Sequence, residues 1–356
     1  MVGMNKRYDQ HSVVTADLEF ITGEYTIPWY NLKDKTVMIT GASGFLAAYM
    51  VETLLFLNKT KQLNVTVIAV VRNRIGFVDR FKHHQDAENL ICIEQDVSST
   101  IKVDCKIDFL IHAASQASPK YYSVDPVGTL SANTLGTAHL LELARTHKVE
   151  GFLYFSSAEV YGEASHVPTT ESDYGYLDPL AVRSCYAESK RMGENMCVSW
   201  HHQYGVPAKI VRPFHTYGPG MRLDDGRVYA DFVADVVNGR DIVLRSDGLT
   251  RRSFCYLADA TAGFWTVLLN GDNAKAYNIG NPDGEISIRD LANLVATLYP
   301  EKHISVNFEY RNEAERYLTS QISVTCPDIT QARSLGWNPS TSIENGFRKT
   351  IESYQS

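Results

Sequence analysis

Tyr186 and Lys190 stand four residues apart in the stretch Cys185-Tyr186-Ala187-Glu188-Ser189-Lys190-Arg191. On a helix that spacing puts both side chains on one face. A phenol has a pKa of about 10 and is a poor base at neutral pH. A lysine ammonium beside it, or the positive ring of an oxidised cofactor, favours the phenolate. Lowering the phenol by ~3 units takes roughly 4 kcal/mol of differential stabilisation. A tyrosine so tuned can take the proton of a hydroxyl while hydride leaves the same carbon. The spacing alone is common, and a solvated helix face would carry it equally well.

The elements that must position this pair are legible around it. Lys35–Thr40 reads as a strand. Gly41, Ser43, Gly44, Phe45 and Leu46 follow as a glycine turn, and a helix runs from about Ala47 to Leu57. Strand, glycine turn and helix form the context of a dinucleotide site. The glycines admit the pyrophosphate, and the helix N-terminus offers free N–H groups and a positive dipole end. The second strand, Asn64–Val71, is followed by Arg72, where a NAD-binding chain usually has an acid for the ribose hydroxyl. Arginine there favours a 2′-phosphate, hence NADP, unless it stacks on the adenine or is simply solvated.

A third strand over 89–94 leads to Asp96, a candidate acceptor for the adenine amino group, and Val97. A fourth over 109–114 ends in Ala113, Ala114 and Ser115, small residues that leave room for a cofactor, with His112 read as structural. One helix is expected over about 125–146, a fifth strand over 151–155 leading to Ser157, the Tyr186 helix over about 183–204, and a sixth strand over 208–211. Such alternation predicts a parallel sheet with right-handed crossovers.

The chain has 356 residues, 44% hydrophobic and 21% charged, as expected of a globular protein with more than one lobe. A net charge of −7 argues against general nucleic-acid binding. Six cysteines without CxxC spacing read as reduced thiols of a cytoplasmic protein, and no metal is expected. The apolar runs are strand-length, too short for a bilayer. Residues 1–34 read as an N-terminal extension packing on the domain or on a partner subunit. Residues 35–212 read as the dinucleotide-binding domain. Residues 213–356 read mainly as a substrate lobe, with some segments returning to the first domain.

Four features now coincide in order: the glycine turn, a serine after the fifth strand, YxxxK one helix later, and basic residues in a C-terminal lobe. With them the chain resembles the extended short-chain dehydrogenase/reductase family, from about residue 35 to the end. It looks most like UDP-glucuronate decarboxylases and nucleotide-sugar 4,6-dehydratases. The segments that carry the likeness are SQASPKYYSVDPVGTLSANTLGT at 115–137, RSCYAESKRMGENMC at 183–197, YGPGMRLDDGRV at 217–228 and PDITQARSLGWNP at 327–339.

The resemblance implies a Rossmann-type doubly wound α/β fold with a smaller C-terminal α/β substrate lobe. It implies tightly held NAD, a nucleotide-sugar substrate, and a homodimer through a four-helix interface. Ser157 would bond the sugar C4 oxygen beside Tyr186, and Glu159 would lie near C5 and C6. Arg252 would contact the diphosphate, Arg227 would line the nucleotide site, and Asn133 would pack under the substrate. The alternatives are that Ser157 and Asn133 only cap backbone groups, that Arg227 and Arg252 are surface residues, and that Glu159 is a structural ion-pair partner. C4 oxidation would make the carboxylate of a hexuronate a β-keto acid, which loses CO2.

The chain departs from the family pattern at four places. Ala158 stands where dehydratases carry an acid and decarboxylases a serine. His215 replaces an asparagine near the phosphates, Gln116 a proline near the sugar, and Arg72 the ribose-binding acid. Decarboxylation is the leading outcome. C4 epimerisation, net dehydrogenation and dehydration remain open, and a non-catalytic cofactor-binding module stands as the contrasting class.

Overall fold

The computed structural model describes residues 12–309 and 324–355. The first half runs α1 (Ser12–Gly23), β1 (Thr36–Thr40), α2 (Phe45–Lys61), β2 (Thr66–Val71), α3 (Arg74–Arg80), β3 (Leu90–Glu94), β4 (Phe109–His112), α4 (Pro119–Val124), α5 (Pro126–Asn133), α6 (Leu135–His147), β5 (Gly151–Phe155), α7 (Cys185–Tyr204) and β6 (Ala208–Pro213). The second runs β7 (His215–Tyr217), α8 (Val228–Val237), β8 (Ile242–Leu244), β9 (Arg251–Tyr256), α9 (Leu257–Asn270), β10 (Ala276–Ile279), β11 (Glu285–Ser287), α10 (Ile288–Thr297), β12 (Val306–Phe308), β13 (Val324–Thr325), α11 (Thr330–Ser334) and α12 (Ile343–Glu352).

β1 to β6 and β10 form one parallel sheet of seven strands in the order β10-β6-β5-β4-β1-β2-β3. The central strands are mostly apolar because both faces are covered, while the edge strand β3 is only partly buried. α2 and α9 lie on one face and α6 and α7 on the other. The order reverses between β1 and β4, where a doubly wound sheet opens a crevice for a ligand. A smaller sheet sets β9 beside β7, β11 and β13, and β8 pairs with β12.

Two readings change. The single helix expected over 125–146 is two pieces, α5 and α6. Pro126 opens α5 with Asp125 as its cap, accepting the Gly128 N–H at 3.0 Å, and Thr134 breaks the run before α6. The seventh strand, β10, comes from beyond residue 213 and pairs with β6. The N-terminal segment, which shows little periodicity as sequence, contains α1. Its Val14, Leu18 and Ile21 are buried in the core against α2 and α9. Residues 1–11 lie outside the described residues.

Candidate active site

The glycine turn closes on the end of β4. Gly41 has φ +65°, and a Cβ there would stand 2.7 Å from the Ala114 Cα and 2.9 Å from its nitrogen. Gly44 precedes α2 without any side-chain cap, and a Cβ on it would meet the Gly41 oxygen at 2.9 Å. The first N–H groups of α2, at Phe45 and Leu46, therefore present a bare helix N-terminus suited to a phosphate. Ala113 lies in the wall that Gly41 approaches, and the buried Ser115 Oγ has no hydrogen-bond partner among the described residues. Arg80 in α3 donates to the Ser43 oxygen at 3.4 Å and to the Gly220 oxygen at 3.0 Å, fixing the turn from the far side. A cradle that only glycine allows, an open helix start and an orphan hydroxyl fit a dinucleotide.

At the adenosine end Val97 is buried, while Asp96 Oδ1 already accepts Ser98 N at 2.8 Å and Ser98 Oγ at 2.6 Å. Burial works against the Asp96 charge, yet those bonds and the Arg72 guanidinium hold its carboxyl below the usual range. Arg72 is exposed and also acts electrostatically on Asp125.

Tyr186 and Lys190 project from the first turns of α7 into the interior, 6% and 2% exposed. Lys190 Nζ donates to the Phe155 oxygen at the end of β5 (2.6 Å) and lies 5.7 Å from the Tyr186 ring centre. Ser157, next along from β5, hydrogen-bonds Tyr186, and its Oγ accepts the Glu159 N–H at 3.2 Å. Ser157 is therefore both a cap and a neighbour of the phenol.

The electrostatics correct one expectation. Burial pushes Tyr186 up to about 12, with the Glu159 charge adding, and the opposing pulls come from Ser157, Arg227 and Arg183 rather than from Lys190. Burial also brings Lys190 down to about 7, because its ammonium has left water for an apolar site. The protein's own charges thus do not make a phenolate at neutral pH.

Glu159 is gripped by Arg183, Oε2 at 2.9 Å and Oε1 at 3.3 Å. The same guanidinium lies 4.6 Å from the Tyr122 ring centre, and Tyr122 stacks on Tyr186 with centroids 4.9 Å apart and planes 17° apart. Ala158 joins an apolar cluster with Val160, Tyr161 and Phe214 and offers no acid or hydroxyl. Across the cleft, Arg227 donates to the Ala117 oxygen at 3.2 Å and pairs with Asp225 at 3.3 Å. His215 lies between Tyr229 and Phe254, pushed down to about 3 by burial, with Arg252 and Arg227 adding to the effect. It is neutral at physiological pH, and its buried Nδ1 has no partner among the described residues. Arg252 is half-buried on β9, and burial lowers its pKa.

Two predicted substrate residues are engaged elsewhere. Gln116 donates to Asp125 Oδ2 at 2.9 Å. Asn133 is fully buried and donates to Ser189 Oγ at 3.0 Å, tying α5 to α7.

The sequence reading assigned no role to Tyr122 and Arg183, although both lie inside the segments that carry the family likeness. It also passed over the buried bracket behind Lys190. There Glu194 accepts Ser156 Oγ at 2.5 Å and two Arg212 bonds at 2.9 and 2.7 Å. Arg212 continues to Tyr161 and the Glu171 oxygen, both at 2.9 Å. The only sequence signal was Glu194 one turn beyond Lys190.

A doubly wound sheet with a phosphate cradle at its switch point and a buried Ser/Tyr/Lys set beside it defines a dinucleotide-dependent enzyme of sugar hydroxyl chemistry. The chain belongs to the NAD dependent epimerase/dehydratase family, whose model matches residues 37–280. NAD is therefore the cofactor. The chain is 33% identical over 321 residues to UDP-glucuronic acid decarboxylase 6 of Arabidopsis thaliana, covering 90% of this chain and 88% of that protein. It is 31% identical to UDP-glucuronic acid decarboxylase 1 of Danio rerio over 340 residues, 94% and 77% of the two chains. Among solved structures it is similar in fold to a UDP-N-acetylglucosamine 4-epimerase of Methanobrevibacter ruminantium (TM-score 0.77, 22% identity, 90% and 98% covered). A dTDP-glucose 4,6-dehydratase of Bacillus anthracis in complex with NAD gives a TM-score of 0.74 at 18% identity, covering 90% and 96%.

Proposed function

We propose that this protein oxidises C4 of a nucleotide-linked hexuronate and decarboxylates it, as the names of its UDP-glucuronic acid decarboxylase relatives suggest. The observation that carries the reading is the hydrogen-bonded Ser157–Tyr186 pair over Lys190, with the Glu159–Arg183 pair beside it. NAD, held by the cradle at Gly41–Leu46, would supply the acceptor for the C4 hydride and the donor that restores it. Tyr186 Oη accepts the C4 hydroxyl proton, and Ser157 Oγ holds the same oxygen. The resulting 4-ketone makes the C6 carboxylate a β-keto acid. CO2 leaves with its bonding electrons retained as an enolate, and a proton is added at C5. The sum is redox-neutral: hexuronate plus a proton gives pentose and CO2. Arg183 holds Glu159 at the edge of this site, and Tyr122 closes one face of the Tyr186 ring.

The lobe after residue 212 supplies the nucleotide end. Arg227 and Arg252 flank neutral His215, a set suited to a diphosphate. C4 epimerisation is the second reading. Ala158, which removes the side chain that both dehydratases and decarboxylases place there, favours it. Incubation with UDP-glucuronate separates the two. Release of CO2 with a UDP-pentose supports decarboxylation, UDP-galacturonate supports epimerisation, and untouched substrate overturns the UDP-glucuronate assignment for both.

The same reading makes the protein a homodimer. Val127 and Leu130 on α5, and Met192 and Val198 on α7, are exposed apolar residues on two helices that pack together. Light scattering should give twice the chain mass, and Val127→Glu should reduce it to one. A cytoplasmic setting and a role in polysaccharide precursor synthesis complete the proposal. Six cysteines without a disulfide support the first, and no helix among the described residues is long and apolar enough to cross a membrane.

A further inference from the structure

Away from the cleft, three ligand-bearing side chains converge on a buried point between α2 and the turn after α3. Glu52 projects inward from α2, 3% exposed. It stands eight residues along that helix from Gly44, about 12 Å at 1.5 Å per residue. His83 and His84, from the short 3-10 helix Lys82–His84, reach it from the other side. His83 Nε2 is 2.9 Å from Glu52 Oε1 and His84 Nε2 is 2.8 Å from Oε2, and the two rings lie 4.1 Å apart. One ligand atom from each residue falls within 4.8 Å of the others.

Several features set this cluster apart from an ordinary ion pair. A carboxylate in the body of a helix core is rare unless paired. Adjacent histidines on an irregular turn both aim Nε2 at the same carboxylate, which one neutral histidine would have satisfied. His83 and His84 also line an outward-opening cavity of about 660 Å³ with Leu55, Asn58, Lys59, Ala87 and Asn89, so water can reach the cluster.

We infer that Glu52, His83 and His84 form a site for a divalent transition metal of the zinc class. Two imidazoles and one carboxylate with an open fourth position are a known zinc donor set. Bond lengths of about 2.0–2.1 Å in a tetrahedron place ligand atoms roughly 3.3 Å apart. The present 2.8–2.9 Å pairs would open by about half an ångström, which ring rotation supplies. Metal binding displaces the shared protons and exchanges two hydrogen bonds for three metal bonds. The ion would pin α2 to the segment that continues from α3, whose Arg80 holds the phosphate turn at Ser43. This site departs from the sequence reading, which expected no metal. It is independent of the substrate assignment.

The test uses the untagged full chain, stripped with a chelator, dialysed and titrated with Zn2+. Bound metal is counted by elemental analysis and melting is followed in parallel. The expected result is one tightly bound Zn2+ per chain in the wild type, and at least a tenfold loss of affinity in His84→Gln and in Glu52→Gln. The melting temperature should rise with Zn2+ only in the wild type. His84→Gln is the safer variant, since that ring is 24% exposed against 6% for His83. Co2+ in place of Zn2+ should give the visible bands of a tetrahedral ion with nitrogen and oxygen ligands. Equal Zn2+ binding by the wild type and His84→Gln would overturn the site and place the metal on surface thiols such as Cys105. No bound Zn2+ in the wild type would also overturn it, leaving a proton-linked ion pair only.

Discussion

Tyr186 is held by its surroundings in the form least able to act as a base, with its pKa up at about 12. Its activation must come with the cofactor's positive ring, so the site does not expose a reactive phenolate without it. Tyr186→Phe should lower turnover about 10²- to 10⁴-fold, the usual size of a general acid–base contribution. NAD should stay bound and melting should stay unchanged, as released NAD and thermal denaturation would report. Lys190 carries a separate prediction. Its folded pKa of about 7 lies below the unfolded 10.5, so between those values the unfolded chain binds the extra proton. Stability therefore gains a contribution as pH rises from about 7 toward 10, and the cost of charging this lysine is fully present below about 7. Lys190→Met should flatten that rise; parallel melting curves for wild type and variant across pH 7–10 would contradict it.

At the scale of elements, the cofactor site is a meeting of backbones. Gly41 turns left-handed where β1 meets the end of β4, and no side chain fits there. Gly41→Ala should cost about 1–3 kcal/mol, as overpacking against immovable backbone does. It should also strip NAD from the purified protein, read by absorbance and by mass of the released nucleotide. α7 presents three faces. Tyr186 and Lys190 face the cleft, Glu194 anchors Arg212 behind it, and Met192 and Val198 face outward. YxxxK is a local pattern, and the glycine turn and serine that precede it in order single out the first pair. The Glu194–Arg212 bracket joins residues on separate elements, and nothing local announces it.

At the scale of the molecule, α1 is fastened to both halves of the chain. Asp17, fully buried, accepts from Tyr49 (3.0 Å), Tyr256 (2.7 Å) and Lys349 (3.0 Å), which come from α2, β9 and α12. Asp17→Ala should remove these three bonds and cost about 2–3 kcal/mol. Chemical denaturation would measure it, and a change within about 0.5 kcal/mol would show that the junction is not stabilising.

The sequence determined the alternating strands and helices, the glycine cradle and the Ser157/Tyr186/Lys190 set, because each rests on short-range periodicity or a fixed spacing. It also determined the family, through segments whose order along the chain is itself a signal. Tertiary structure alone decided four further things. It chose β10 as the segment that returns to the first sheet, and it put α1 in the core. Arg183 took hold of Glu159 beside Tyr122, and two adjacent histidines met a glutamate some thirty residues earlier in the chain. It decided, too, that burial outweighs the Tyr186–Lys190 attraction, since desolvation depends on everything packed around a group and not on its neighbours in sequence.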